Sequence, residues 1–134
     1  MKLVSHFLNK KGRDGWSLSP DASVYEAIDQ MAQKGVGALL VMEGQRLVGI
    51  VSERDYARKV ILKGKASRET QVREIMSCPV ICARPQLTVE ETMLLMTEKR
   101  IRHLPAVEDE KIVGVVSIGD VVRDVIEDNK FEIE

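Results

Sequence analysis

No stretch of this 134-residue chain approaches the ~20 consecutive apolar residues of a membrane-spanning helix. The opening Met1-Lys2-Leu3-Val4-Ser5-His6-Phe7 has too short an apolar core for a secretory leader, so the cytoplasm is the expected compartment. Charge of one sign is also missing: 20 Lys and Arg stand against 21 Asp and Glu. That balance argues against a broad nucleic-acid surface, and neither nucleic acid nor membrane is expected as a partner. Cysteine is limited to Cys78 and Cys82, spaced C-x-x-x-C, with His6 and His103 far from them in sequence. A zinc site wants four ligands at characteristic spacings, so no metal site is expected. The two cysteines, on either side of Pro79-Val80-Ile81, read as buried structural residues. There is no Gly-x-Ser-x-Gly elbow and no P-loop. No catalytic residue is assigned, and an enzyme is not expected.

What the chain does have is the same segment twice. Gly49-Ile50-Val51-Ser52-Glu53-Arg54-Asp55 returns 65 residues later as Gly114-Val115-Val116-Ser117-Ile118-Gly119-Asp120. The same offset pairs Pro20 with Pro85, Val24 with Val89, Met31 with Met96, Leu39 with Leu104 and Ile61 with Ile126, with no insertion or deletion. A repeat of this kind decides the architecture before any single element is read. A half of 65 residues is marginal alone, so the copies are expected to share one core.

Each copy reads as β-α-β-β-α. In the first, a short strand lies near Trp16-Ser17-Leu18. Ser23 and Glu26 form a capping box for a helix to Lys34, with Gly35 at its C-cap. Ala38 to Met42 and Arg46 to Ser52 are strands about the turn Glu43-Gly44-Gln45, and Glu53 to Lys63 is a helix. In the second, a strand near Val80-Ile81-Cys82 precedes a helix opened by Thr88 and Glu91. His103 to Val107 and Lys111 to Ser117 are strands, and Val121 to Glu127 is a helix. The fold class is mixed α/β (α+β). Met31, Met93 and Met96 are read as core filler rather than ligands.

These residues resemble a tandem pair of cystathionine-β-synthase-type (CBS) domains, a Bateman module. The carriers are Gly35 to Val41, Leu47 to Asp55, Arg100 to Val107 and Ile112 to Asp120. No one of them is specific; two copies in register are. The chain is similar to the stand-alone bacterial type. The resemblance implies one module over residues 1–134, with repeats at 11–63 and 76–128, pseudo-twofold symmetry and two clefts between the repeats. It implies adenosyl ligands: AMP, ADP, ATP, S-adenosylmethionine and, in some stand-alone members, NAD(H). It implies a regulatory role toward a protein the sequence does not name.

A nucleoside site needs an apolar slot for the base, an acceptor for the ribose diol and positive charge for phosphate. An ionised Asp accepts charge-assisted bonds from both hydroxyls. Asp55 and Asp120 each stand three residues after a Ser, Ser52 and Ser117, where a helix start offers N–H groups to an anion. Ser-x-x-Asp is also an ordinary capping box and needs no ligand. By resemblance, the first cleft gathers Ser52, Arg54 and Asp55 with Arg102 and His103 at the phosphate and Met76, Pro79 and Ile81 at the base. The second gathers Ser117, Ile118 and Asp120 with Lys11, Asp14 and Trp16, and Gly37 stands there in place of Arg102. Arg58 and Arg123 read equally as a solvated helix face. A homodimer is expected through the helices at Val24–Met31 and Val89–Met96 and the closing helices. The rival function is a structural dimerisation module whose clefts are vestigial.

Overall fold

A computed structural model describes residues 3–11, 16–78 and 80–128. The elements run α1 Val4–Lys11, β1 Ser17–Leu18, α2 Val24–Lys34, β2 Ala38–Glu43, β3 Arg46–Ser52 and α3 Glu53–Tyr56. A π-helical turn, Ala57–Ile61, and a 3-10 turn, Val72–Glu74, follow; then come α4 Val89–Lys99, β4 His103–Glu108, β5 Lys111–Ser117 and α5 Ile118–Asp128. The chain divides into two compact units. One is Trp16–Val80; the other joins α1 to the chain from Ile81 onward.

Each unit has its own buried cluster, where the sequence suggested a common one. Val24, Met31, Leu39, Val41 and Val51 are buried in the first. Their counterparts Val89, Met96, Leu104, Ala106 and Val116 are buried in the second. Each cluster is completed by the chain segment that precedes the other copy. Val72 N–H donates to Ala22 O at 2.8 Å, and Val4 N–H donates to Leu87 O at 2.8 Å. Ala22 and Leu87 are themselves 65 residues apart, so Val72 and Val4 do the same job. The exchange is why a short half suffices: Val72 and Ile75 fill one cluster, Val4 and Leu8 the other.

The helix N-caps form as the spacing predicts, with the reciprocal capping box complete at Thr88 and Glu91. Ser23 Oγ accepts from Glu26 N–H at 3.1 Å, and Thr88 Oγ1 from Glu91 N–H at 3.0 Å. Gly35 ends α2 in the left-handed conformation at φ 67°, and Arg100 ends α4 the same way at φ 55°. An arginine there bears the steric penalty that glycine avoids.

The sheets differ in one strand. In the first unit β1 runs parallel to β2, with Leu40 N–H donating to Trp16 O at 2.9 Å. In the second, the strand expected at Val80-Ile81-Cys82 is reduced to a single parallel bridge between Ala83 and Ala106. The reason is Pro105, which occupies the position of Leu40. Proline has no N–H to give Ile81, so the ladder starts only at Ala83, which donates to Pro105 O at 2.8 Å.

The helices after the Ser-x-x-Asp motifs also depart from expectation. The first is α-helical only over Glu53–Tyr56 and then widens into the π turn, with Leu62 N–H donating to Ala57 O at 3.1 Å. The second is α-helical from Ile118 to Asp128, three residues earlier than the sequence suggests. Cys78 and Cys82 are exposed thiols, not buried ones. Partial burial pushes the Cys82 thiol up. Among the described residues, no helix is long and apolar enough to cross a membrane, and no group of three His, Cys, Asp or Glu is placed to hold a metal.

Candidate functional site

The two Ser-x-x-Asp motifs lie where β3 passes into α3 and β5 into α5. In the first, Ser52 N–H donates to Asp55 Oδ2 at 2.9 Å and Ser52 Oγ donates to the same oxygen at 3.0 Å. Asp55 N–H returns a bond to Ser52 Oγ at 3.2 Å. Lys59 Nζ lies 3.1 Å from Asp55 Oδ1. The carboxylate is thus fixed by backbone, hydroxyl and ammonium, with 13% of the side chain exposed. In the second, Ser117 Oγ donates to Asp120 Oδ2 at 2.7 Å and Arg123 Nη1 donates to Asp120 Oδ1 at 3.2 Å. Asp120 is 26% exposed, the more open of the two.

The helix starts are not empty anion nests. Glu53 N–H is taken by Gly37 O at 3.0 Å, and Ile118 N–H by Arg102 O at 2.8 Å. Asp55 and Asp120 N–H go to the serine hydroxyls. At each helix start the first and third N–H groups therefore have partners inside the fold, because β2 and β4 begin beside it.

Those same bonds group the candidate residues. Gly37, Ser52, Arg54 and Asp55 come together at one end of the first unit. Met76 lies on the same sheet: an added Cβ at Gly49 would sit 2.5 Å from Met76 Sδ. That close approach is what glycine permits there, and Ser77 holds the segment by exchanging bonds with Ile50 at 2.8 and 3.1 Å. Arg102, His103, Ser117, Ile118 and Asp120 come together in the second unit, with His103 opposite Ser117 in the β4–β5 ladder. Ile81 packs against the buried cluster of that unit. Trp16 is 40% exposed and lies under Lys34 Nζ, 4.4 Å from the ring centroid. Lys11 ends α1, so the segment equivalent to Met76 is helical rather than extended; its side chain, Asp14 and Pro79 lie outside the described residues.

Lys59 is the residue that sequence reasoning missed. The signal was present, since Asp55 and Lys59 stand at i and i+4 of a helical segment. A cavity of about 420 Å³ lies at the β4–β5 hairpin, lined among others by Cys82, Arg84, Gln86 and Glu108. No Ser-x-x-Asp residue lines it.

Comparison with known proteins agrees with the repeat. The sequence matches the CBS domain family over residues 13–62 and again over 72–127. It is 42% identical over 98% of its length to the CBS domain-containing protein CBSX3, mitochondrial, of Arabidopsis thaliana, covering 68% of that protein. It is 34% identical to the CBS domain-containing protein YhcV of Bacillus subtilis over 78% of this chain and 74% of that one. A protein with CBS domains from Burkholderia ambifaria MC40-6 superposes with a TM-score of 0.94 at 45% identity, over 99% of this chain and all of that one. The CBS domain pair of protein MJ0100, solved with 5′-methylthioadenosine and S-adenosyl-L-methionine, superposes at 0.82 with 25% identity, over 92% of this chain and 99% of that one. Two matched copies in register, on a fold shared along the whole chain, place this protein in the CBS domain family as a tandem pair.

Proposed function

We propose that this CBS pair is a regulatory module that binds an adenosyl ligand, AMP, ADP, ATP or NAD(H), and reports its occupancy to another protein. The observation that carries the reading is the pair of carboxylates, Asp55 and Asp120, held in matching geometry by Ser52 and Ser117. An oriented, ionised Asp suits the cis-diol of ribose. The adenosyl ligands of the MJ0100 pair support the ligand class. In this reading Asp55, Ser52 and Arg54 serve one ligand, and Asp120, Ser117 and Ile118 serve the other.

A ligand at a hundredfold excess over Kd stabilises the folded state by about 2.7 kcal/mol. Dialysed protein is therefore expected to melt several degrees higher with millimolar AMP or NAD(H), and less so with inosine or guanosine monophosphate. A melting curve that no adenosyl compound moves would remove the basis of the sensor reading. A scaffold with vestigial clefts would then remain.

We propose also that the module is a homodimer, through residues other than those the sequence singled out. Val24, Met31, Val89 and Met96 face inward, at 1–3% exposure. Exposed apolar side chains include Tyr25 and Leu94 on the capped helices, Ile61, Val122 and Ile126 on the closing ones, and Leu62 just after the π turn. Ile61 and Ile126 are counterparts, 56% and 58% exposed, as a repeated contact surface would have them. Light scattering at tens of micromolar should return twice the chain mass; a monomer mass contradicts the proposal.

A further inference from the structure

We propose that Lys59 is a latch on the Asp55 carboxylate, and that a cis-diol ligand must displace its ammonium to bind fully. The inference rests on the reading of Asp55 as a ribose acceptor. An ionised carboxylate offers about four acceptor positions. Three on Asp55 are occupied: Oδ2 accepts from Ser52 N–H and Ser52 Oγ, and Oδ1 meets Lys59 Nζ. A diol that gives two hydrogen bonds finds about one position open. Ser52 cannot yield easily, because its backbone N–H is part of the helix cap. Lys59 can, because its side chain is 44% exposed and reaches water on release.

Lys59 has a second hold. Its Nζ donates to Ile75 O at 2.9 Å, one residue before Met76. Lys59 itself sits in the π turn, whose wider backbone spacing sets it apart from the regular helix of the other copy. One ammonium therefore ties together the carboxylate, the π turn and the segment that carries Met76. Displacing it would release all three. The second copy is built otherwise. Asp124, 5% exposed, stands where Lys59 stands, and Asp120 meets instead Arg123, whose side chain is 70% exposed. The lysine that also holds a backbone carbonyl is a feature of the first copy.

The test is calorimetry with adenosine, which has no phosphate for a lysine to attract. Lys59→Met removes the competitor and keeps the stem. Adenosine affinity should rise by about three- to fivefold, the factor to which a partly exposed ion pair corresponds. Lys59→Arg, which restores a cation, should bring affinity back to the wild-type value. Unchanged or weaker adenosine binding by a folded Lys59→Met overturns the latch. Asp55→Ala, measured alongside, separates the two claims. If it binds adenosine as the wild type does, the ribose reading of Asp55 fails, and the latch with it. If it loses binding while Lys59→Met gains none, only the latch fails. Amide exchange at residues 57–62 gives an independent check: adenosine should speed it in the wild type and not in Lys59→Met, and protection unchanged by adenosine in the wild type overturns the release of the π turn.

Discussion

Leu8→Ala is expected to cost about 2–5 kcal/mol, the range for truncating a fully buried leucine. Leu8 is 0% exposed and belongs to the cluster with Leu104, Val116 and Val121. The residue lies outside the repeat match, and a reading of the repeats alone would treat it as dispensable. It is not, because α1 covers Gly114 of the second copy. A Cβ built on Gly114 would lie 2.8 Å from Leu8 Cδ2. Two opposite changes therefore meet at one place. Leu8→Ala leaves a cavity, and Gly114→Ala overfills the same space. Joined in one chain, each relieves part of the other, so the double variant should be more stable than the sum of the single changes predicts. Urea unfolding of the four proteins measures the coupling. Simple additivity, or a cost for Leu8→Ala below ~1 kcal/mol, would show that α1 does not pack on the second copy in solution.

The repeat was legible because both copies need the same buried positions. Leu39 and Leu104, or Val51 and Val116, recur since each lines the inner face of a hairpin of the same register. The capping boxes were legible for a similar reason: their hydrogen bonds are local, so spacing alone determines them. The exchange of leading segments was not legible. An apolar residue such as Leu8 or Val72 announces that it will be buried, and says nothing about which copy will bury it. The shortened leading strand of the second copy was within reach, because Pro105 stands in the register position of Leu40 and deletes the N–H that strand needs. The π turn was out of reach; one wider hydrogen-bonded ring changes no hydrophobic period enough to be seen.

The candidate site divides along the same line. Asp55, Ser52, Asp120 and Ser117 were found because a cap is a local pattern. The state of those carboxylates was less legible, because Arg54, Arg58 and Lys59 all stand within four residues of Asp55 and spacing alone does not choose among them. Lys59 reaches both Asp55 and Ile75 O, the latter 16 residues away. Its counterpart Asp124 carries the opposite charge. Two motifs that read alike thus present unlike acceptors, one paired with a lysine and 13% exposed, the other paired with an arginine and 26% exposed. Equal affinity in the two copies is not expected.

Asp55→Ala is accordingly expected to weaken adenosine and AMP alike, by about 10–150-fold, through loss of charge-assisted bonds of ~1.5–3 kcal/mol. Asp120→Ala should leave that affinity unchanged and act on the second copy's ligand only. The fold should survive both changes. Asp55 is a partly buried capping residue whose loss costs about 1 kcal/mol. Arg102→Ala completes the set. Its backbone carbonyl still receives Ile118 N–H in the variant, so the helix start is kept while the guanidinium is removed. If that guanidinium clamps a phosphate, AMP should lose about 10–150-fold and adenosine almost nothing, since adenosine has no phosphate to hold. Calorimetry with both ligands on the three variants distinguishes the roles by pattern rather than by size. Equal losses of adenosine and AMP in Arg102→Ala, or none in either, would take Arg102 out of the site. Unchanged affinity for both ligands in a folded Asp55→Ala would make that carboxylate a cap and nothing more.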